Sequence, residues 1–230
     1  MNTETLNLNT SRGATTAIVA RPTGDTTAAV ILIHEWWGIN DHICDLAGRY
    51  AQEGCVCVAP DLYRGKVAKD SDAAARLMHD LDTVDGLETI SEAIVKTRTA
   101  FGAQKIGITG YCMGGTFALR AACEMSELAA AAPFYGDIPE EKVLAKLNAP
   151  TIFFAGALDS WITPEKVEVL KKAARDYNLP LEVVSYDADH AFFNDTRPEV
   201  YDANAARDAW QRVLAHFRKY LGEAARPTGA

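Results

Sequence analysis

The run KIGITGYCMGGTFALRAA, Lys105 to Ala122, decides how the chain folds. KIGIT (105–109) has the short apolar character of a buried strand. From residue 113 to 125 the pattern is helical. Between them lies GYCMGG, Gly110 to Gly115, too short for anything but a sharp turn. A strand, then G-x-C-x-G, then a helix is the nucleophile-elbow arrangement, with a sulfur where a serine hydroxyl usually stands. In such a turn the central residue takes a strained backbone conformation, usually with positive φ. Gly110 and Gly114 leave room for the helix to pass neighbouring strands. Cys112 projects at the helix N-terminus, where free N–H groups and the dipole favour a thiolate. The N–H of Met113 is placed to meet a developing oxyanion.

Outward from this turn the chain alternates strand and helix. TTAIVARP (15–22) alternates like an edge strand, and AAVILIH (28–34) is a continuous apolar run suited to a strand covered on both faces. A helix over 40–53 follows, stopped by Gly54, and then the strand CVCVAP (55–60). Helices are expected at 72–80 and 86–101. After the elbow come a strand at 129–135, a short helix from 139 and a strand at 151–156. Thr163 and Pro164 open a helix that Asn178 and Pro180 end. LEVVSY (181–186) is the last strand. A closing helix carries Ala206, Trp210, Val213, Leu214, Phe217 and Leu221 on one core stripe. These elements predict an α/β fold, a mostly parallel central sheet with helices on both faces; the elbow set within it is the one α/β-hydrolases carry. One domain is expected over 1–222, with 223–230 a disordered tail. Functional residues belong in loops at the strand carboxyl ends.

Composition narrows the function classes. The chain has 230 residues and a formal net charge of −8, with no basic run, which argues against nucleic-acid or anionic-membrane partners. The N-terminus has no secretory leader pattern and no apolar run is long enough to span a bilayer, so a cytoplasmic address is expected. Of the five cysteines, at 44, 55, 57, 112 and 123, none lies in a C-x-x-C pair. Cys55 and Cys57 share one strand face, and Cys44 and Cys123 lie in helices; these four fit small core residues. No metal or organic cofactor is expected, for there is no H-E-x-x-H and no phosphate loop. TGYCMGG nearly matches a dinucleotide-binding turn, but Thr116 replaces its last glycine and the turn lies mid-chain. Moreover, Tyr135, Tyr177, Tyr186 and Tyr201 all lack the lysine four residues on that such dehydrogenases use.

A nucleophile needs a base, and the base needs a group to orient it. The elbow fold sets the order nucleophile, acid, histidine. Downstream of Cys112 only His190 and His216 are histidines. His216 sits on the closing amphipathic helix; His190 follows LEVVSYDAD in a polar loop just past a strand. Asp159, in FFAGALDSW, follows the strand at 151–156 directly. Asp137 follows an earlier strand and is its main rival, while Asp187 and Asp189 share the His190 loop and point back poorly. The expected triad is Cys112, Asp159 and His190.

The sequence resembles the dienelactone hydrolase family through HEWWGIN (34–40), PDLY (60–63), GYCMGG, FYG (134–136), GALD (156–159) and DADHAFF (187–193). These pieces span nearly the whole chain in order. The resemblance implies Cys112 as nucleophile, His190 as base and Asp159 as its orienter. It also implies that Glu35 interacts with the resting thiol and that the N–H of Trp36 is a second oxyanion donor beside Met113. Trp37 and Tyr135 are candidate substrate-binding residues; Trp37 is either plain core or a wall of an apolar pocket. Family members that act on dienelactone hold its carboxylate with arginines and a tyrosine. Here Asn194 stands where one arginine aligns, and 71–78 offers only Arg76, out of register. Arg64 and Arg197 are the remaining candidates to bind a substrate carboxylate.

The implied activity is that of a carboxylic ester hydrolase: cleavage of an ester or lactone, of the dienelactone enol-lactone type, through a thioester acyl-enzyme. Its partner is then a small ester or lactone. The alternatives are a general carboxylesterase or thioesterase using the same triad, and a non-catalytic relative that binds a ligand or senses oxidants through Cys112.

Overall fold

A computed structural model describes residues 3–222. The chain divides into two compact units, Met1–Gly107 with Leu221–Ala230, and Ile108–Tyr220. The tail expected at 223–230 lies outside the described residues. Among the described residues no helix is long and apolar enough to cross a membrane.

In the first unit the strands are β1 (Thr3–Thr10), β2 (Gly13–Ala20), β3 (Ala28–Ile33) and β4 (Val56–Pro60), in the order β1-β2-β4-β3. β1 and β2 form an antiparallel hairpin closed at Thr10↔Gly13, where Gly13 takes φ 120°. β2 then pairs antiparallel with β4, and β3 with β4 in parallel. Every residue of AAVILI and of VCVAP is buried, as continuous apolar runs require. The strand expected at the edge is in fact flanked on both sides. TETLNLNT covers it, with Leu8 turned inward. That segment is mostly polar, and the alternation of Leu6 and Leu8 with Asn7 and Asn9 is too short to mark a strand by itself.

Helices α1 (Asp41–Gln52), α2 (Ser71–Asp80) and α3 (Thr83–Phe101) begin at Asn40, Asp70 and Asp82. Each of these three side chains accepts from backbone N–H groups of the first turn, meeting donors that the helix cannot satisfy itself. α3 stops at Gly102, whose φ of 66° is the left-handed termination glycine tolerates.

The second unit carries β5 (Lys105–Tyr111, in this unit from Ile108), β6 (Leu128–Phe134), β7 (Thr151–Gly156) and β8 (Leu181–Tyr186), in sequential order. β6 with β7 and β7 with β8 run parallel. Between them lie α4 (Met113–Glu124), α5 (Glu141–Leu144) and α6 (Pro164–Asp176), and α7 (Ala203–Leu221) follows. Thr163 holds the N-cap place of α6 but makes no side-chain cap bond; Pro164 opens the helix without it. Phe134 stacks on Phe154 at 4.4 Å and on Tyr111 at 4.6 Å, while Phe193 meets Phe134 edge-on at 5.0 Å. This aromatic layer lies at the carboxyl ends of β5, β6 and β7, beneath the loops that follow them.

Candidate active site

Cys112 follows β5 and precedes α4 with φ 57° and ψ −118°. Its N–H still donates to Phe134 O at 3.2 Å, while its C=O already accepts from Thr116 N at 3.2 Å. One residue thus ends a strand and begins a helix, and it makes that turn in a strained, positive-φ conformation. The close approach that makes the turn possible occurs at Gly115 and Gly136. A Cβ on Gly115 would lie 2.2 Å from Phe134 O, and one on Gly136 would lie 2.2 Å from Gly115 C. The glycine that GYCMGG needs at its end and the glycine of FYG are two sides of one contact. Met113 is the first residue of α4, at the positive end of the helix dipole.

Asp159 lies just past β7 and is 2% exposed. Its Oδ1 accepts from the N–H groups of Trp161 (2.7 Å) and Ile162 (2.9 Å). That leaves Oδ2 for Nδ1 of His190, at 2.7 Å. The loop after β8 reaches this acid because Leu158 N donates to Ala188 O at 3.1 Å and Gly156 has no side chain: a Cβ there would meet Ala188 O at 2.5 Å. Burial works against the Asp159 charge, but the hydrogen bond and charge of His190 and the two N–H groups hold its pKa below the usual carboxylate value.

Burial also disfavours the His190 imidazolium. The hydrogen bonds and charges of Asp159 and Cys112 outweigh it and raise the His190 pKa to about 10. Nε2 is buried and makes no hydrogen bond of ordinary geometry among the described residues, although the sulfur is near enough to act on the ring. Such contacts are commonly loose before substrate arrives. Around the ring, Trp161 stacks at 5.5 Å between centroids and 29° between planes, and Tyr135 meets it tilted at 5.1 Å. Cys112, Asp159 and His190 are thereby brought together within one unit.

The rival acids are occupied elsewhere. Asp137 is exposed and pairs with Lys166 at 2.8 Å, and Asp189 accepts from the backbone N–H of His190 rather than from its ring. His216 Nε2 lies 3.0 Å from Pro150 O, at a boundary position. Tyr135 is fully buried against His190 and Phe192, with φ 35°. Its phenol ring packs against the His190 imidazole from within the core. Arg197 is paired with Glu199 at 2.8 Å.

Glu35, Trp36 and Trp37 belong to the first unit, just past β3. Glu35 is buried, and the two indoles meet edge-on at 5.1 Å. The neighbouring His34 is buried too, with Nδ1 at 2.6 Å from Glu35 O and Nε2 accepting from Leu62 N at 3.2 Å. Burial lowers its pKa, so the ring is neutral and ties the end of β3 to the loop after β4. Arg64, also in this unit, donates to Gly13 O (3.1 Å), Ala14 O (3.2 Å) and Thr10 Oγ1 (3.1 Å), and pairs with Asp85 at 2.6 Å. Its guanidinium clasps the β1–β2 hairpin to α3.

Sequence patterns did not bring out Trp161, Gly115, Gly136, Gly156 or Ala191. Trp161 had one local signal, an aromatic residue two places after the acid. Ala191, directly after His190, stands at φ 63° with no glycine to advertise the turn.

A strained residue between strand and helix, followed in chain order by a carboxylate and a histidine on later strand ends, defines the α/β-hydrolase class. The chain belongs to the dienelactone hydrolase family, whose model matches residues 15–221, and it is a carboxylic ester hydrolase. "Protein usf" of Aquifex pyrophilus is 36% identical over 203 residues, 84% of this chain and 88% of that protein. A protein of Aquifex aeolicus named "Putative carboxymethylenebutenolidase" is 33% identical over 208 residues, with the same two shares, 84% and 88%. A solved Klebsiella pneumoniae structure named "Putative Dienelactone Hydrolase" superposes with a TM-score of 0.88 at 30% identity. It covers 95% of this chain and 99% of its own.

Proposed function

We propose that the protein hydrolyses an ester or lactone with Cys112 as nucleophile, through a thioester. The observation that carries this is the linkage from Asp159 through His190 to Cys112, with the His190 pKa raised to about 10 by the two groups that flank it. His190, held by Asp159, takes the Cys112 thiol proton and so forms the attacking sulfur anion. The sulfur attacks the carbonyl carbon, forming the C–S bond as the π pair moves onto oxygen. The N–H of Met113 at the start of α4 meets that oxyanion. When the C–O bond breaks, the leaving oxygen takes the proton from Nε2. Neutral His190 next removes a proton from water as the hydroxyl adds to the thioester carbonyl. The C–S bond breaks, the acid leaves, and thiolate and imidazolium are restored. Because a thiolate leaves as readily as it attacks, the route suits activated esters and enol lactones and disfavours amides.

Both candidate carboxylate-binding arginines face carboxylates of the protein, Arg64 with Asp85 and Arg197 with Glu199. Asn194 turns its own oxygen to Thr196. These contacts favour an uncharged ester or lactone over a dienelactone carboxylate.

The test is intact-protein mass spectrometry during turnover of an activated aryl ester. One acyl group per chain, mapped to Cys112 and absent from Cys112→Ala, is expected. Equal turnover by Cys112→Ala would remove the nucleophile assignment. A single stoichiometric burst with no further turnover would point instead to a ligand-binding or thiol-sensing protein.

A further inference from the structure

Trp161 is 51% exposed yet stacked on His190, 5.5 Å between centroids. An exposed indole is normally free to rotate away from its neighbours. The backbone at its root is fixed, since the N–H of Trp161 donates to Oδ1 of the same Asp159 that binds Nδ1 of His190. One carboxylate therefore anchors both the His190 ring and the main chain from which the stacked indole projects. Leu158, on the other flank of Asp159, is 60% exposed. Two large apolar side chains thus face outward around a buried acid, where short polar side chains would serve a plain loop better.

We propose that Trp161 is a specificity residue that recognises the leaving group, favouring a planar, unsaturated substituent on the leaving oxygen. This rests on the thioester route above, in which the leaving oxygen takes its proton from His190. An oxygen within reach of that ring carries its substituent to the edge of the imidazole, beside the indole that lies over its face. A planar, unsaturated substituent extends the existing stack and covers apolar surface on both partners. A small saturated alkoxide has nothing to lay against the indole. In an open-chain ester the leaving group departs while the acyl group stays on sulfur, so with such substrates Trp161 selects at acylation and is indifferent to deacylation.

The experiment compares wild type, Trp161→Phe and Trp161→Leu on two ester series. One keeps the acetyl group and varies the leaving group between aryl and vinyl oxygens and fluorinated alkoxides of matched acidity. The other keeps 4-nitrophenol and varies the acyl chain. For Trp161→Leu, kcat/KM on the aryl esters is expected to fall roughly three- to tenfold, the worth of one aromatic contact. The fluoroalkyl esters should change less than about twofold, and Trp161→Phe should restore much of the loss. In the acyl series the factor should be constant, and the rate of thioester breakdown after a burst should match wild type. An equal loss across all leaving groups, or a shifted pH profile for breakdown, would make Trp161 a mere support for His190 and overturn the proposal. So would no loss at all. Failure of the thioester route would appear differently, as wild type that forms no adduct at Cys112.

Discussion

Asp159 Oδ2 lies 2.7 Å from Nδ1 of His190, although 31 residues separate them in the chain. The contact, with Cys112 also acting on the ring, favours the charged form of both groups. The histidine pKa rises to about 10 from an ordinary 6.5, and that of the acid falls below its ordinary 3.8.

Asp159→Asn should therefore keep the fold and lower kcat by about a thousandfold or more, because an amide neither fixes the tautomer nor stabilises the imidazolium. Ester turnover and circular dichroism of the same preparation check this; near-normal turnover would remove Asp159 from the mechanism.

Stability should follow pH with a definite sign. A histidine with a raised folded-state pKa contributes fully below 6.5, and that contribution fades as pH climbs from 6.5 through about 10. Asp159, shifted downward, contributes above its unfolded value and is lost as pH falls through its folded one. Urea unfolding should give a midpoint that declines from pH 6.5 towards 10 in wild type. The decline should be shallower in His190→Gln. Identical slopes would contradict the charge state assigned to His190.

Gly115→Ala should cost about 3 kcal/mol or more, since its Cβ would fall 2.2 Å from the rigid Phe134 carbonyl. Gly156→Ala presses on Ala188 O at 2.5 Å, two residues before His190, and should lower kcat more than its effect on thermal unfolding suggests. Thermal scans paired with turnover separate the two behaviours.

Ala191→Gly should stabilise the protein by about 0.5–1 kcal/mol. Alanine at φ 63° carries left-handed strain that glycine escapes, offset in part by the extra freedom glycine has when unfolded. A lower midpoint in chemical denaturation would show that the Cβ packing outweighs that strain.

Asp85→Ala should cost roughly 1.5–3 kcal/mol, the range for hydrogen bonds to a charged group, because it leaves Arg64 without the anion it meets at 2.6 Å. Denaturant midpoints of Asp85→Ala and Asp85→Asn check this, with the asparagine variant recovering part of the loss.

Much of this was readable along the chain. Apolar runs such as AAVILI and the sharp turn GYCMGG are local signals: period, burial and backbone propensity act within a few residues of each position. Asp159 and His190 were legible for the same reason, as a carboxylate and an imidazole set directly after strands in an order the fold prescribes. Signals of this kind place elements and name chemistry. They carry nothing about which surfaces later meet.

What remained depends on such meetings. TETLNLNT becomes a strand because β2 offers it a ladder, not because its own residues favour one. Gly136 must lack a side chain because Gly115, 21 positions earlier, passes against it. Arg64 joins a hairpin and a helix rather than awaiting an anion, and Trp161 covers a histidine 29 residues away. Local propensity writes the strands, the elbow and the order of the three polar residues. The distances that set their charges arise only when segments far apart in the chain exclude water from one another.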